Sequence, residues 1–433
     1  VIAFAAFGAL VVAGLETAGC EEAYEPACRV ARDDVVVADP AIGSRPSLTR
    51  ARAGVIASWA HREPADGGTP GIPPPLSAFE VAVVDDRGGL GLRARVPVPD
   101  ALHARRGGVA SAGVIVEDGA FLVHWIETTT TTASDGLLRT DAALKAAHVR
   151  DGVASAPMAP VAASCERCTM TIASAALGSE SILIARVEPD RTGAPPGASA
   201  TTKLVALRLR RDGSLVEEPV PWLAVPVGSG DAGPGELGSV EDVQHQGALS
   251  VDVDDSGRLV IVTSGFAWLA DEALRLVAGP LSLPATPDAR VAWDVGGEAS
   301  VAWSVSPYDD GRSSEATVPR EIFTGLVPAG ASGIATRERA SRGRAALAFD
   351  RRGEEVGILF ESAARTIFAT VDPKGRKRGG DLVLRTSHKG AASEYGTVVV
   401  PESHVLFARG NGRFTAVAFG SGELRASEIS CAP

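Results

Sequence analysis

SVDVDDSGRLVIVTSG, residues 250–265, admits two readings with different consequences. Asp252, Asp254, Ser256 and Gly257 sit at the spacing of an oxygen-rich calcium loop, and the same residues suit a tight hairpin turn. A helix–loop–helix calcium site requires flanking helices and a bidentate Glu at the twelfth loop position, where this chain has Thr263. The flanks instead alternate with period two, as strands do. The residues are therefore read as a strand, a turn and a second strand.

The same design recurs without the acidic triplet. It appears as AGVIVEDGAFLVHW (112–125), TIASAALGSESILIAR (171–186), RVAWDVGGEASVAW (290–303), AALAFDRRGEEVGILF (345–360) and GTVVVPESHVLFA (396–408). SLTRARAGVIASW (47–59) is the most worn copy. A metal site would not survive such drift, whereas a hairpin tolerates Gly, Asn, Asp or Ser at its turn. A second hairpin follows each first one, as in FEVAVVDDRGGLGLRARV (79–96), DAALKAAHVRDGVASAP (141–157) and RTIFATVDPKGRKRGGDLVL (365–384). The stretch 267–283 is the fourth copy of this second hairpin, less regular than the rest, with a partly helical segment as the alternative. With Trp59, Trp125, Arg186, Thr263, Trp303, Phe360 and Ala408 taken as equivalent, the intervals are 66, 61, 77, 40, 57 and 48 residues. Two successive hairpins per unit, repeated about seven times, predict an all-β fold, a single β-propeller of four-stranded blades. The last unit is read as containing four strands of its own.

The pattern resembles bacterial extracellular propellers of the TolB-like and WD40-like kind, from about residue 45 onward. No W-D dipeptide signature, Y-W-T-D motif or regular kelch Gly-Gly pair occurs, so the resemblance implies a scaffold class and not a function.

The N-terminal VIAFAAFGALVVAGL is short for a bilayer span and has the length of the apolar region of a signal peptide. It is followed by TAGC (17–20), which resembles a lipoprotein lipobox with Thr17 where Leu is favoured. Cys20 is the expected lipidation site, the alternative being an unmodified cleaved signal. Residues 1–19 are thus read as a signal-peptide remnant and 20–44 as a tether containing a candidate closing strand, DDVVVADP (33–40). The propeller is assigned to 45–431.

Four further cysteines suit an oxidising compartment. Cys28 and Cys431 lie near the two ends and are expected to pair, while Cys165 and Cys168 form C-E-R-C, read as a local disulfide with a redox pair as the alternative. No second ligand pair supports zinc, and Thr169 stands where covalent haem attachment needs His.

The net charge of -11 and the scarcity of basic runs exclude nucleic acid as a partner. In a four-stranded meander, the first-to-second and third-to-fourth turns share one face, and the remaining connections share the other. The first set is short. The second contains long Pro-, Gly- and Ser-rich segments such as 62–77, 189–200, 226–247 and 306–319, the kind of rim on which binding surfaces are built. Second-strand ends bring Trp59, His61, His124, Trp125 and Trp303 toward that rim, with Tyr308, Asp309 and Asp310 in a loop above. These are the candidate binding residues for a protein, peptide or glycan. The alternative is that the tryptophans fill the gaps between blades.

No nucleophile elbow, H-E-x-x-H, P-loop or Rossmann fingerprint is present. No catalytic residue, metal or cofactor is assigned. The leading expectation is a monomeric, lipid-anchored or secreted binding module of the bacterial envelope. A propeller hydrolase or lyase with its site in the central channel is one alternative, and a structural cell-surface protein is the other.

Overall fold

The computed structural model describes residues 28–39, 47–51, 54–62, 76–97, 110–117, 120–132, 134, 136, 138–150, 153–154, 164–165, 168–177, 180–189, 202–217, 220–225, 249–263, 266–283, 289–293, 298–305, 320–327, 338–343, 345–353, 355–362, 365–371, 377–386, 404–420 and 422–432. Strands and turns account for the described residues, and no helix occurs among them.

The opening stretch is a hairpin. Ser250–Val253 pairs antiparallel with Leu259–Thr263, with Val253 opposite Leu259. Asp254 N–H donates to the Arg258 carbonyl at 3.0 Å, and Gly257 N–H donates to the Asp254 carbonyl at 3.1 Å. This pattern requires a left-handed residue before the second strand, and Gly257 supplies it at φ 86°. The turn also consumes the carboxylate of Asp254. One oxygen accepts the backbone N–H groups of Ser256 and Arg258, and the other accepts the Arg258 guanidinium. Those oxygens are engaged with protein donors, as a turn requires and a calcium loop does not.

The same turn closes Asp271–Arg275, where Leu274 occupies the left-handed position at φ 60°. Leu274 is 1% exposed and belongs to the apolar cluster around Ile261 and Trp268, so its burial offsets the backbone cost. Residues 267–283 therefore form the hairpin, and the partly helical alternative is set aside. Phe266–Ala270 and Leu276–Ser282 are paired strands around that turn.

Among the described residues the strands form six hydrogen-bonded sheets, five of four strands and one of nine, so the expected count of about seven separate blades is corrected to six sheets. The nine-stranded sheet arises because two successive meanders are joined. One runs from Ser47–Ala51 to Leu90–Pro97, the other from Ala110–Glu117 to Val153–Ala154, and a single parallel pair, Arg95 with Val153, links their outer edges. Sequence periodicity marks strands but carries no sign of such an edge pairing.

The final sheet differs from expectation in its order. His404–Gly410 is its innermost strand, followed by Arg413–Gly420 and Glu423–Cys431, and the fourth strand is the N-terminal Cys28–Ala38. Ala408 therefore lies on a first strand, not at the second-strand position assigned to it. The closing strand is longer than the 33–40 segment singled out. It pairs from Cys28 opposite Cys431 to Ala38 opposite Glu423, and a disulfide joins Cys28 to Cys431.

The ring is closed by contacts between successive first strands. Ser47–Ala51 packs on Ala110–Glu117, and the series continues through Cys168–Leu177, Ser250–Val253, Arg290–Trp293 and Ala345–Arg352 to His404–Gly410, which meets Ser47–Ala51 again. The chain is a single all-β propeller. Its apolar clusters lie between neighbouring sheets, as expected for small sheets that cannot bury both faces alone.

Candidate functional site

First strands present one edge and alternate side chains to the axis, so any charge placed there by the sequence meets charges from distant repeats. Three such residues converge. Arg50 extends from Ser47–Ala51 and its Nη1 lies 2.7 Å from Asp350 Oδ1 and 3.8 Å from Asp252 Oδ2. Asp350 sits on Ala345–Arg352 and is 2% exposed, while Arg50 keeps 31% of its side-chain surface. Its guanidinium also lies over the Phe407 ring, 5.4 Å from the centroid.

Backbone donors fix both carboxylates. Asp350 Oδ2 accepts the Ala408 N–H, and Asp252 Oδ2 accepts the Trp293 N–H at 2.8 Å. Burial raises the Asp350 carboxyl to about 6, against the opposing pull of Arg50 and the Ala408 N–H. Burial also raises Asp252, again opposed by Arg50 and by the Trp293 N–H. Burial lowers the proton affinity of Arg50, but the two carboxylates outweigh it and the net shift is upward.

Beside this triad is a cavity of about 70 Å³ lined by Thr49, Arg50, Ser174, Ser250, Asp252, Arg290 and His404, together with apolar residues of the same first strands. Arg290 is 7% exposed and donates to the Ala289 carbonyl at 3.0 Å. Many cavity residues come from the starts of their strands, Ser250, Arg290 and His404 among them, which places the cavity toward the side of the long connections. No group of three residues suited to a metal occurs among the described residues.

The residues singled out from the sequence lie elsewhere. Trp59, Trp125 and Trp303 are at most 1% exposed. Each packs against the preceding four-stranded meander: Trp59 meets Phe419 edge-on at 6.0 Å, Trp125 meets Phe79 at 5.5 Å, and Trp303 joins the cluster containing Val262 and Leu281. Their burial corrects the expectation of an exposed aromatic lining, because a second-strand position in this fold faces the neighbouring sheet. Arg186 and Thr263 occupy the equivalent positions in two successive repeats, also buried, and replace aromatic packing with a 3.0 Å hydrogen bond from Arg186 Nη1 to Thr263 Oγ1.

His124 is likewise not at the rim. It is fully buried, neither ring nitrogen has a hydrogen-bond partner, and burial lowers its pKa to about 4. His61 is half-buried opposite Ala78. Tyr308, Asp309, Asp310 and Cys20 lie outside the described residues, as do most of the long connections. Cys168 is disulfide-bonded, while the side chain of Cys165 lies outside the described set.

No known protein family matches the sequence, and no curated protein does. Solved structures align with the chain at low similarity. Virginiamycin B lyase from Staphylococcus aureus aligns over 94% of this chain and 100% of its own at 9% identity and a TM-score of 0.42. The WD40 domain of SCAP from fission yeast aligns over 93% and 98% at 7% identity and a TM-score of 0.36. TolB from Acinetobacter baumannii aligns over 89% and 80% at 12% identity and a TM-score of 0.32. At these scores neither an architecture nor an activity follows from the likenesses.

Proposed function

We propose that the protein is an extracytoplasmic binding module that engages a protein, peptide or glycan through the rim of long connections. The observation that carries this reading is the state of the axis. Arg50 ties Asp252 and Asp350 together beside a small cavity of about 70 Å³, so the charged groups of the axis are engaged with one another, and recognition of a larger partner is assigned to the rim. The disulfide between Cys28 and Cys431 supports an oxidising compartment. Attachment through a lipid on Cys20 belongs to the same proposal and rests on TAGC alone. No described helix is long and apolar enough to cross a membrane.

A second reading is a hydrolase or lyase acting in the channel. It is favoured by Asp252 and His404 on one cavity with Asp350 behind Arg50, one carboxyl being raised to about 6. It ranks second because both carboxylates are paired with the same arginine.

The test is capture of partners from envelope extracts by the full chain and by a variant with residues 63–75 replaced by a short Gly-Ser linker. Loss of specific partners in the variant, with unchanged melting, is expected. Equal recovery by both forms contradicts the rim reading, and turnover of a small substrate lost in Asp350→Asn supports the second.

A further inference from the structure

The rim reading gives no role to the opposite face, where the short turns lie. We propose that this face docks on an anionic phospholipid surface through basic side chains around the Cys28–Cys431 bridge, with the long connections turned away from the membrane. The inference goes beyond the rim reading, and only the added hold of a lipid on Cys20 rests on it.

The bridge lies on the short-turn side. Cys431 N–H donates to the Gly412 carbonyl at 2.7 Å, in the turn between His404–Gly410 and Arg413–Gly420. Cys28 Sγ lies 3.9 Å from Thr370 Oγ1, which donates to the Arg378 carbonyl at 3.0 Å on the outer strand of the neighbouring sheet. Basic side chains surround this point. Arg29 and Arg413 both pair with Ser430, one on each side of Glu423–Cys431, so they stand on one face of the final sheet. Arg352 reaches across from Ala345–Arg352 to the Arg409 carbonyl at 3.1 Å, and Lys377 and Arg378 begin Lys377–Thr386. All but Arg409 are exposed.

Three acids oppose these six bases. Glu355 accepts the Gly412 N–H at 2.7 Å, Glu428 lies 3.5 Å from Arg409, and Asp381 lies 2.9 Å from Lys377. Glu354, Asp372, Lys374 and Arg376, outside the described residues, cancel in formal charge. The surface therefore carries an excess of three positive charges on a chain whose net charge is -11. Across the ring the same side has the opposite sign, because Asp254, Asp255, Asp271 and Glu272 outnumber Arg258 and Arg275. A negative surface is thus met by the bridge side first, in a tilted orientation.

The occupant follows from charge complementarity and from the course of the chain. A basic side chain near an anionic bilayer is worth about 1 kcal/mol, roughly fivefold in partition, so three give roughly 100-fold. Eight steps separate Cys20 from Cys28, and at roughly 3.5 Å each they reach at most about 28 Å. A lipid on Cys20 therefore holds the bridge side toward the bilayer, and the basic surface is the second signal that a lone acyl chain needs for stable anchoring.

The experiment is partition of the full chain carrying Cys20→Ser, hence without a lipid, onto two kinds of vesicle. One is phosphatidylcholine alone, the other equal parts phosphatidylcholine and phosphatidylglycerol. Insertion of the apolar residues 1–15 is common to both and cancels in the ratio. A preference of roughly 100-fold for the anionic vesicles at about 0.05 M salt, lost at about 0.5 M, is expected. Arg29→Gln, Arg352→Gln and Arg413→Gln combined are expected to abolish it, and Lys at the same three positions to keep it. Lys203→Gln with Arg365→Gln, exposed charges at the long-connection ends of their strands, is expected to leave it unchanged. Should the triple variant melt early, Arg29→Gln alone, with an expected loss of roughly fivefold, replaces it. Equal partition of the parent chain onto both vesicles overturns the proposal. So does a preference that survives the triple variant, or one lost equally in the Lys203 and Arg365 pair. Mass spectrometry of the chain with Cys20 intact tests the anchor separately, and an unmodified Cys20 beside an intact vesicle preference overturns the anchor alone.

Discussion

Replacing His124 with Leu tests whether a buried, unpartnered imidazole limits stability in acid. His124 lies on the central strand Ala120–Thr132, opposite Ala146, with both nitrogens lacking partners. Leu is close to it in volume and needs no hydrogen bond. At pH 8 the substitution is expected to stabilise the fold by about 1–3 kcal/mol, the usual penalty for a buried polar group without a partner. The acid response is larger. The folded pKa of about 4 lies below the unfolded value of 6.5, so the unfolded chain takes up the proton first. The contribution of the neutral ring is complete above pH 6.5 and is lost as pH falls toward 4. Full loss is about 3 kcal/mol, of which roughly 2 kcal/mol has gone by pH 5.

Asp350 has the opposite sign. Its folded pKa of about 6 exceeds its unfolded 3.8, so its contribution is present below 3.8 and is lost as pH rises through 6. The two groups offset one another between pH 4 and 6, and the wild-type profile is flattened there. His124→Leu should therefore be more stable than wild type by roughly 2 kcal/mol more at pH 5 than at pH 8, read as the change in urea midpoint at constant slope. Parallel profiles for the two proteins, or a loss of stability on substitution at both pH values, would refute the reasoning.

Two further perturbations address the turn and the closure. Gly257→Ala forces an L residue to φ 86° and brings its Cβ to 3.0 Å from Leu177 Cδ1, so a loss of about 1–2 kcal/mol in urea melts is expected, and no loss would contradict the turn. Removing the Cys28–Cys431 bridge by a double Cys→Ala change opens a cross-link between residues 403 apart, with an expected loss of about 6 kcal/mol on the chain-entropy account. Melting points unchanged by that variant would contradict the clamp.

The hairpins were legible because their signals are local. DDSG and DDRG place an acid and a left-handed glycine where the turn demands them, and the flanking strands alternate. Leu274 escaped because a non-glycine at a left-handed position carries no such signal and is held there by packing. The final sheet was misread by one strand because its fourth member comes from the other end of the chain, although the Cys28 and Cys431 positions already pointed to that pairing.

The axial triad was largely invisible. In the sequence Asp252 reads only as part of a calcium-loop spacing, and Arg50 in LTRARAG and Asp350 in AFDRRG look like ordinary turn-flanking charges. Their common feature is a charge on the first strand of a repeat, a signal that gains meaning only when the ring brings separated repeats together. The tryptophans failed as a rim for a related reason. Trp59, Trp125 and Trp303 do occupy equivalent second-strand positions, but the fold turns that position toward the preceding meander.

The central claim is that distant repeats meet across one axis, and a double-mutant cycle on Arg50→Gln and Asp350→Asn measures it. Urea unfolding at pH 8 of the wild type, both single variants and the double should give a coupling energy of about 1–3 kcal/mol, the value for charges in direct contact. Strict additivity of the two substitutions would mean that the residues do not meet, and the wheel described here would not be the structure of this chain.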